Sequence, residues 1–309
     1  MIKIGIIGIG GWGSKLVRVF SALPQIKQIV VYDINRSASR RIKNFFPKIK
    51  IAKNYSAVLN SDVKAMVIAT DPLKTHHPLA RQALLAAKHL WLEKPMTASA
   101  KEAADLIKLA ERKNLVLHLD HPLIYDPAIS QIKKIIRAGS LGELNLVLMR
   151  RLGSELRRKD YDVFWDLSYH DFSVLQFWFG ELKPKNLKVK VNQTIGHKLA
   201  AEGLISFNLG KTNVQIAASW ISPQKIRQIV FIGSEKILAY DGCAGNKITI
   251  FDLEKGRIYR PKISPAEPLS VEAKHFLDCV KKGKMSRTDG QSGLATIRLL
   301  ELVSQTIKK

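Results

Sequence analysis

The sequence predicts an α/β chain of two domains: a doubly wound parallel sheet over residues 1–121, then an α+β domain with a mostly antiparallel open sheet over 122–309. Three observations carry this. The first 121 residues alternate short apolar runs with stretches of helical period, the pattern of strands buried on both faces and joined by crossover helices. From Gly180 to about residue 252 the apolar runs follow one another directly, parted by turn residues. That order predicts consecutive antiparallel strands with helices on one face. Finally, 309 residues are more than one small core organises.

Element by element, KIGIIG (3–8) is a buried strand ending in glycine, and SKLVRVFSAL (14–23) places apolar residues at helical spacing. QIVVYD (28–33) is a second strand, ended by an acid; a basic helix (SRRIKNFF), a short strand (KIKIAK) and a helical turn near YSAVLN follow. AMVIAT (65–70) is a strand, PLARQALLAAK a helix, and HLWLEK and LVLHLD are two more strands. Between those two, Ser99 stands three residues before Glu102, the spacing of a reciprocal capping box, and Leu106, Ile107 and Ala110 extend the apolar stripe. After HPLIYDPA the texture changes. Helix AISQIKKIIRAG, stopped by Gly139, leads to strand LNLVLMRR and to helix LSYHDFSVLQFWFG, ending at Gly180. Strands NLKVKVNQ, LAAEGLISFNL, TNVQIAASW, RQIVFIG, KILAYD and KITIFD come next. Helices over about 269–282 and 290–307 close the chain, the last free to pack back on the first domain.

Hydrophobic residues make up 46% and charged residues 25%, which excludes a disordered chain. No apolar run is long enough for a membrane span, and MIKIGIIGIGGWG lacks the order of a secretory signal. Cys243 and Cys279 stand far apart with no CxxC, so neither a disulfide framework nor a metal site is expected. A cytoplasmic protein without a membrane partner follows. The unusual quantity is charge: 50 Lys+Arg against 26 Asp+Glu gives +24, a field that speeds the arrival of anionic molecules. The basic residues are scattered in short groups such as SRRIKNFF, LRRKDY and VKKGKM, with no reading helix among them. No specific nucleic-acid partner is expected.

Gly8-Ile9-Gly10-Gly11-Trp12-Gly13 directly follows the first strand and precedes the first helix. In that setting the first glycine permits the tight turn, the second lets backbone approach a pyrophosphate, and the third lets helix pack on strand. Free N–H groups at the helix start then face phosphate charge. Twenty residues past Gly13, Asp33 ends the second strand, where a carboxylate accepts from the ribose hydroxyls of NAD. The first domain therefore reads as a Rossmann domain, with Gly8, Gly10, Gly11, Trp12, Gly13 and Asp33 in the cofactor site. Asp33 repels a 2′-phosphate and favours NAD, but Arg36, Arg40 and Arg41 could receive one, so NADP stays open. WLEKPM (91–96) puts Lys94 at the carboxyl end of a central strand, the edge at which such sheets bind ligands. Pro95 restricts the Lys94 backbone, so the ammonium is aimed. Taken alone, this could equally be a solvated strand end.

At IATDPLKTHHPLA, WLEKPM and HPLIYDPAI the chain resembles the glucose–fructose oxidoreductase / inositol dehydrogenase / MocA family (Gfo/Idh/MocA), and the resemblance runs nearly its whole length. FWDLSYHDFSVLQFWFG looks like that family's Asp-x-x-x-His catalytic helix. SWISPQKIRQIVFIGSEKILAYDG and EPLSVEAKHFLDCVKKGK look like a branch that includes UDP-N-acetylglucosamine/glucuronate 3-dehydrogenases. Asp120-His121 stands where that branch commonly has Gly-His.

The resemblance implies an NAD(P)-dependent oxidoreductase moving hydride between nicotinamide and a secondary hydroxyl or ketone of a sugar, nucleotide-sugar or cyclitol. It implies Lys94, His170 and Asp166 as catalytic residues, with Lys94 bonding the oxygen that becomes a carbonyl. His170 would move the hydroxyl proton, and Asp166, four residues earlier on one helix face, would orient it. Asp166 could equally be a carboxylate favoured by a helix N-terminus. Thr70, His76, Glu93, Lys94 and His121 are expected along the cofactor cleft, and Arg151 and Tyr169 near substrate. Arg151, Arg157 and Arg158 hold either an anionic substrate group or nothing but solvent. Trp178 and Trp220 are expected to be packing residues. The uncovered sheet face and the resemblance both point to a homodimer or homotetramer. A catalytically weak regulatory protein that binds NAD(H) or a sugar on the same fold is the alternative.

Overall fold

The computed structural model describes residues 1–71, 73–154, 160–195 and 199–307. It forms two compact units, Met1–Tyr125 with Glu267–Ile297 and Asp126–Ala266 with Arg298 onward. The sequence places one boundary after residue 121 and leaves the C-terminal helix free to pack back on the first domain.

The first unit holds strands β1 (Ile2–Ile7), β2 (Ile26–Tyr32), β3 (Lys50–Ile51), β4 (Ala65–Ile68), β5 (His89–Leu92) and β6 (Leu117–Leu119). They are all parallel, in the order β3-β2-β1-β4-β5-β6. Helices α1 (Gly11–Ser21), α2 (Arg36–Phe45), α3 (Tyr55–Leu59), α4 (His76–Leu85) and α5 (Ala100–Arg112) make the crossovers. The apolar runs are continuous because the central strands are covered on both faces: Ile4, Ile6, Met66, Val67, Leu90 and Trp91 have no exposure. Strand order reverses between β1 and β4, which places the glycine loop after β1 at the switch point where doubly wound sheets open a ligand crevice. Local chemistry starts the helices. Asn35 and Asn54 cap α2 and α3 through their side-chain oxygens. Ser99 accepts from Glu102 N at 3.3 Å, and the Glu102 carboxylate reaches Ala98 N, one residue short of the expected reciprocal bond.

In the second unit α6 (Pro127–Arg137) precedes β7 (Leu144–Ser154), and a π-helical turn (Phe164–Ser168) runs into α7 (Tyr169–Phe179). Strands β8 (Lys185–Ile195), β9 (Leu199–Leu209), β10 (Thr212–Ser219), β11 (Ile221–Gly233), β12 (Lys236–Asp241), β13 (Ile248–Asp252) and β14 (Arg257–Tyr259) follow. The sheet order is β14-β13-β12-β11-β7-β10-β9-β8, with β7 and β10 parallel and the other neighbours antiparallel. Helix α7 covers one face: Phe172 stacks on Phe207 at 6.1 Å and Trp178 meets Phe231 edge-on at 5.0 Å. On edge strand β8, Lys185, Lys188 and Lys190 are exposed. Charges so placed discourage edge-to-edge pairing and account for part of the basic excess.

Two helices close the chain, α8 (Pro268–Lys282) and α9 (Gly290–Ile307). Helix α8 lies in the first unit, where Phe276 packs edge-on against Phe20 at 6.4 Å and Trp91 at 5.5 Å. Helix α9 gives Gly290–Ile297 to the first unit and its remainder to the second. Among the described residues no helix is long and apolar enough to cross a membrane, and no group of three His, Cys, Asp or Glu is placed to hold a metal.

Candidate functional site

The first unit carries the glycine loop. Gly8 has φ +87°, and a Cβ there would lie 2.3 Å from the Ala69 carbonyl oxygen; only glycine suits it. A Cβ on Gly13 would lie 1.9 Å from the Gly8 carbonyl oxygen, so this glycine seats helix on turn. Gly10 and Gly11 differ: nothing lies within 4 Å of where their Cβ atoms would be. Helix α1 begins there with no side-chain cap and no acid in its first turn. An open backbone surface with the first N–H groups of a helix beside it is a cradle for phosphate. At the end of β2, Asp33 accepts from Ile9 N at 2.5 Å and from Asn35 N at 2.6 Å. Both bonds fix the carboxylate beside the loop, and each oxygen keeps a second acceptor lone pair suited to a ribose hydroxyl. These residues fit a dinucleotide. Arg36, Arg40 and Arg41 are exposed on α2.

The far end of β4 and the Glu-Lys-Pro turn are tied together. His76, 3% exposed, sets Nδ1 at 2.8 Å from Pro95 O and Nε2 at 2.9 Å from Thr70 O. Carbonyl oxygens only accept, so both contacts are hydrogen bonds at once only for the imidazolium. The buried His76 ring thus stands between two backbone segments, the end of β4 and the Glu-Lys-Pro turn. The Thr70 hydroxyl bonds the Thr75 hydroxyl at 2.6 Å. Glu93 accepts from the backbone N–H of Lys94, and the Lys94–Pro95 bond is cis. Glu93 and Lys94 are both half-buried.

Beyond β6 lies a buried polar group that sequence reasoning did not assemble. Asp120 Oδ2 accepts from the indoles of Trp12, at 2.6 Å, and Trp91, at 3.1 Å. Burial pushes Asp120 up to about 6, opposed by the two indole bonds and the Lys94 ammonium. His121, expected at the cofactor, is 1% exposed; its N–H donates to Glu272 Oε1 at 2.6 Å. Burial, helped by Lys94, takes the His121 imidazole down to about 3, so it is neutral at pH 7. Glu272 also meets His118 Nε2 at 3.2 Å; burial and the Asp120 charge hold its carboxyl well above the usual range. One signal was available: Glu272 falls on the apolar stripe of its helix, three residues after Leu269 and four before Phe276.

In the second unit Asp166 sits in the π-helical turn, 6% exposed, and accepts from Trp220 Nε1 at 3.0 Å. Trp220, expected to be packing alone, is fully buried and also fixes that carboxylate. Asp162 starts the turn by accepting from Phe164 N and Trp165 N, each at 3.0 Å. Gly203 makes room for it, since a Cβ there would lie 2.6 Å from Phe164 Cζ and 2.5 Å from Lys190 O. His170 is the second residue of α7, half-buried. The expected single helical face holding Asp166 and His170 is thus interrupted, because the turn between them is π rather than α.

The two residues expected near substrate are largely buried. Tyr169 has no exposure and is a core residue of the second unit. Arg151 forms a forked ion pair with Asp171, Nη2 to Oδ1 at 3.0 Å and Nε to Oδ1 at 3.2 Å, with side chains 11% and 1% exposed. Its guanidinium is engaged by protein. Burial raises Asp171, opposed by Arg151. Arg157 and Arg158 lie outside the described residues.

Residues 2–121 match the Gfo/Idh/MocA family, described as an oxidoreductase family with an NAD-binding Rossmann fold. That match spans strands β1 to β6 of the first unit. Among proteins of known name, the chain is similar to scyllo-inositol 2-dehydrogenase (NADP(+)) IolW of Bacillus subtilis, 33% identical over 147 residues, 47% of this chain and 40% of that one. Over 303 residues it is 24% identical to UDP-N-acetylglucosamine 3-dehydrogenase of Acidithiobacillus ferrooxidans, covering 94% of this chain and 93% of that one. A solved structure of the Acidithiobacillus ferrooxidans enzyme GnnA overlays with TM-score 0.86 at 24% identity, over 99% and 97% of the two chains. That likeness establishes the fold. The chain spans 40% and 54% of the lengths of the first two curated relatives it matches.

Proposed function

We propose that this chain is an NAD(P)-dependent oxidoreductase acting on a secondary hydroxyl or ketone of a sugar, nucleotide-sugar or cyclitol. The observation that carries the reading is the open Gly10–Gly11 backbone beside an uncapped helix start, with the Asp33 carboxylate fixed next to it. The relatives' named substrates support the substrate class. When bound, a nicotinamide dinucleotide would accept or supply the hydride.

The protein's own groups do the rest. The glycine loop and the N–H groups opening α1 hold the pyrophosphate, and Asp33 takes the ribose hydroxyls, which favours NAD over its 2′-phosphorylated form. The Lys94 ammonium bonds the substrate oxygen and stabilises its alkoxide character. His170 takes the hydroxyl proton in oxidation and returns it in reduction, and Asp166, fixed by Trp220, steadies that proton transfer. On the second unit's sheet, the face away from α7 carries half-exposed Leu148, Val230 and Ile237 beside exposed Leu204. This face is inferred to pair with a second copy, and sedimentation as a monomer at micromolar protein would contradict that.

The test has two stages. Titration with NADH should show saturable binding; a screen of UDP-sugars, inositols and hexoses for absorbance change in the NADH band should then find turnover. His170→Asn should lower that turnover about 10²–10⁴-fold with NADH affinity within about twofold. Binding without turnover across the screen would favour the regulatory reading, and absence of binding would remove both.

A further inference from the structure

The proposed reaction gives no task to Asp120, although its setting is unusual. Its side chain is 1% exposed, Oδ1 has no hydrogen-bond partner among the described residues, and Oδ2 takes both indole N–H bonds. A buried carboxylate with an unpaired oxygen is costly, and an apolar residue would fill the space without that penalty. The two partners are unequal. Trp91 lies in β5, fully buried and packed edge-on against Phe20 at 5.4 Å and Phe276 at 5.5 Å. Trp12 is only half-buried, in the first turn of α1, between the open Gly10–Gly11 backbone and the packed Gly13. The Lys15 ammonium lies 4.8 Å from the centroid of its ring. The carboxylate therefore links a half-buried ring at the phosphate cradle, packed at the margin of the core, to the strand that ends in Glu93-Lys94.

We propose that Asp120 is a positioning residue that pins the Trp12 indole to β5, so that the ring stands as a preformed wall of the nucleotide site. The inference rests on the reading of the glycine loop as that site. Preforming one aromatic wall removes the entropy of ordering it on binding, an effect of about 3–10-fold in affinity.

NADH is the probe, and dissociation constants are compared for wild type, Trp12→Phe, Asp120→Ala, the double variant and Asp120→Asn. Phenylalanine keeps the ring and loses the N–H; asparagine keeps an oxygen acceptor and loses the charge. Each of the first two variants should bind NADH about 3–10-fold more weakly, and the double variant no more weakly than either. Asp120→Asn should stay within about twofold. A purely structural Asp120 would instead give effects that add in the double variant. Without nucleotide, time-resolved fluorescence anisotropy assigned to Trp12 by difference from Trp12→Phe should lack fast local motion in wild type and Asp120→Asn. It should gain that motion in Asp120→Ala.

Additive effects, an unchanged affinity in Trp12→Phe, or a mobile Trp12 in wild type would each overturn the proposal while the nucleotide reading stands. If Asp120→Ala does not fold, Trp12→Phe decides alone, because it removes the bond from the half-exposed partner. Failure of the wild type to bind NADH would instead overturn the nucleotide reading, and the proposal with it.

Discussion

Gly10 and Gly13 occupy one loop but should fail in opposite ways when given a methyl group. At Gly13 the added Cβ would lie 1.9 Å from a backbone oxygen, where ordinary contact is 3.4–4 Å. Backbone must yield by about 1.5 Å, and overpacking of that kind costs about 2–3 kcal/mol. For a chain of this size, that lowers the melting temperature by roughly 3–5 °C. At Gly10 the methyl meets nothing within 4 Å, and φ −72° with extended ψ is open to alanine. Gly10→Ala should therefore melt within about 2 °C of wild type, since removing glycine's freedom in the unfolded chain is worth only ~0.5 kcal/mol. Its methyl fills the space a pyrophosphate would use, at the expense of one or two charge-assisted hydrogen bonds. At about 1.5–3 kcal/mol, NADH affinity falls roughly 10–150-fold. Differential scanning calorimetry and an NADH fluorescence titration on both variants form the assay. Full NADH affinity in Gly10→Ala with a normal melting temperature would refute the cradle, whatever Gly13→Ala does.

Other consequences follow from the same geometry. Gly203→Ala should push Phe164 off β9 and disturb the turn carrying Asp166; thermal melting should show a loss of about 1–3 kcal/mol. Arg151→Met leaves Asp171 charged and buried, a loss of about 3–5 kcal/mol in urea unfolding, and adding Asp171→Leu should restore most of it. The acid side of the stability profile tests Asp120. Its folded pKa lies above the unfolded carboxylate value, so between about pH 4 and 6 the native state holds more protons there, and its contribution falls as pH rises. His121 has a depressed folded pKa, so its contribution rises with pH over much of the same window and masks the first. Asp120→Asn removes one of the two. Its stability should drop relative to wild type by about 1.5 kcal/mol on going from pH 6 to 4.5, and parallel curves would contradict the buried carboxyl.

The parts of the molecule that could be read from sequence are those set by local physics. Alternation of buried strands with helices, the glycine loop and the acid ending β2 each depend on a few adjacent residues. Strand β14 could not be read, because Arg257, Ile258 and Tyr259 are all exposed and carry no alternation. Nor could the parallel pairing of β7 with β10, since side-chain period is the same in either direction. The π-helical turn depends on the gap at Gly203, far away in sequence, and the i, i+4 spacing of Asp166 and His170 gave no hint of it. Helix α8 has an apolar face that looks alike whichever unit it joins. Arg151 illustrates the same limit: an arginine near a presumed site and an arginine paired with a buried acid twenty residues on have one sequence signature. Trp12, Trp91 and Asp120 are separated by up to 108 residues, and only the folded sheet brings them to one carboxylate.

The central claim is that the glycine loop with Asp33 holds a nicotinamide dinucleotide. Native mass spectrometry of the chain with equimolar NAD⁺ and NADP⁺ tests it most directly. The account predicts one dinucleotide per chain, predominantly NAD, and loss of that preference in Asp33→Ser. A wild-type chain that carries neither dinucleotide, or takes the 2′-phosphorylated form in preference, would contradict it.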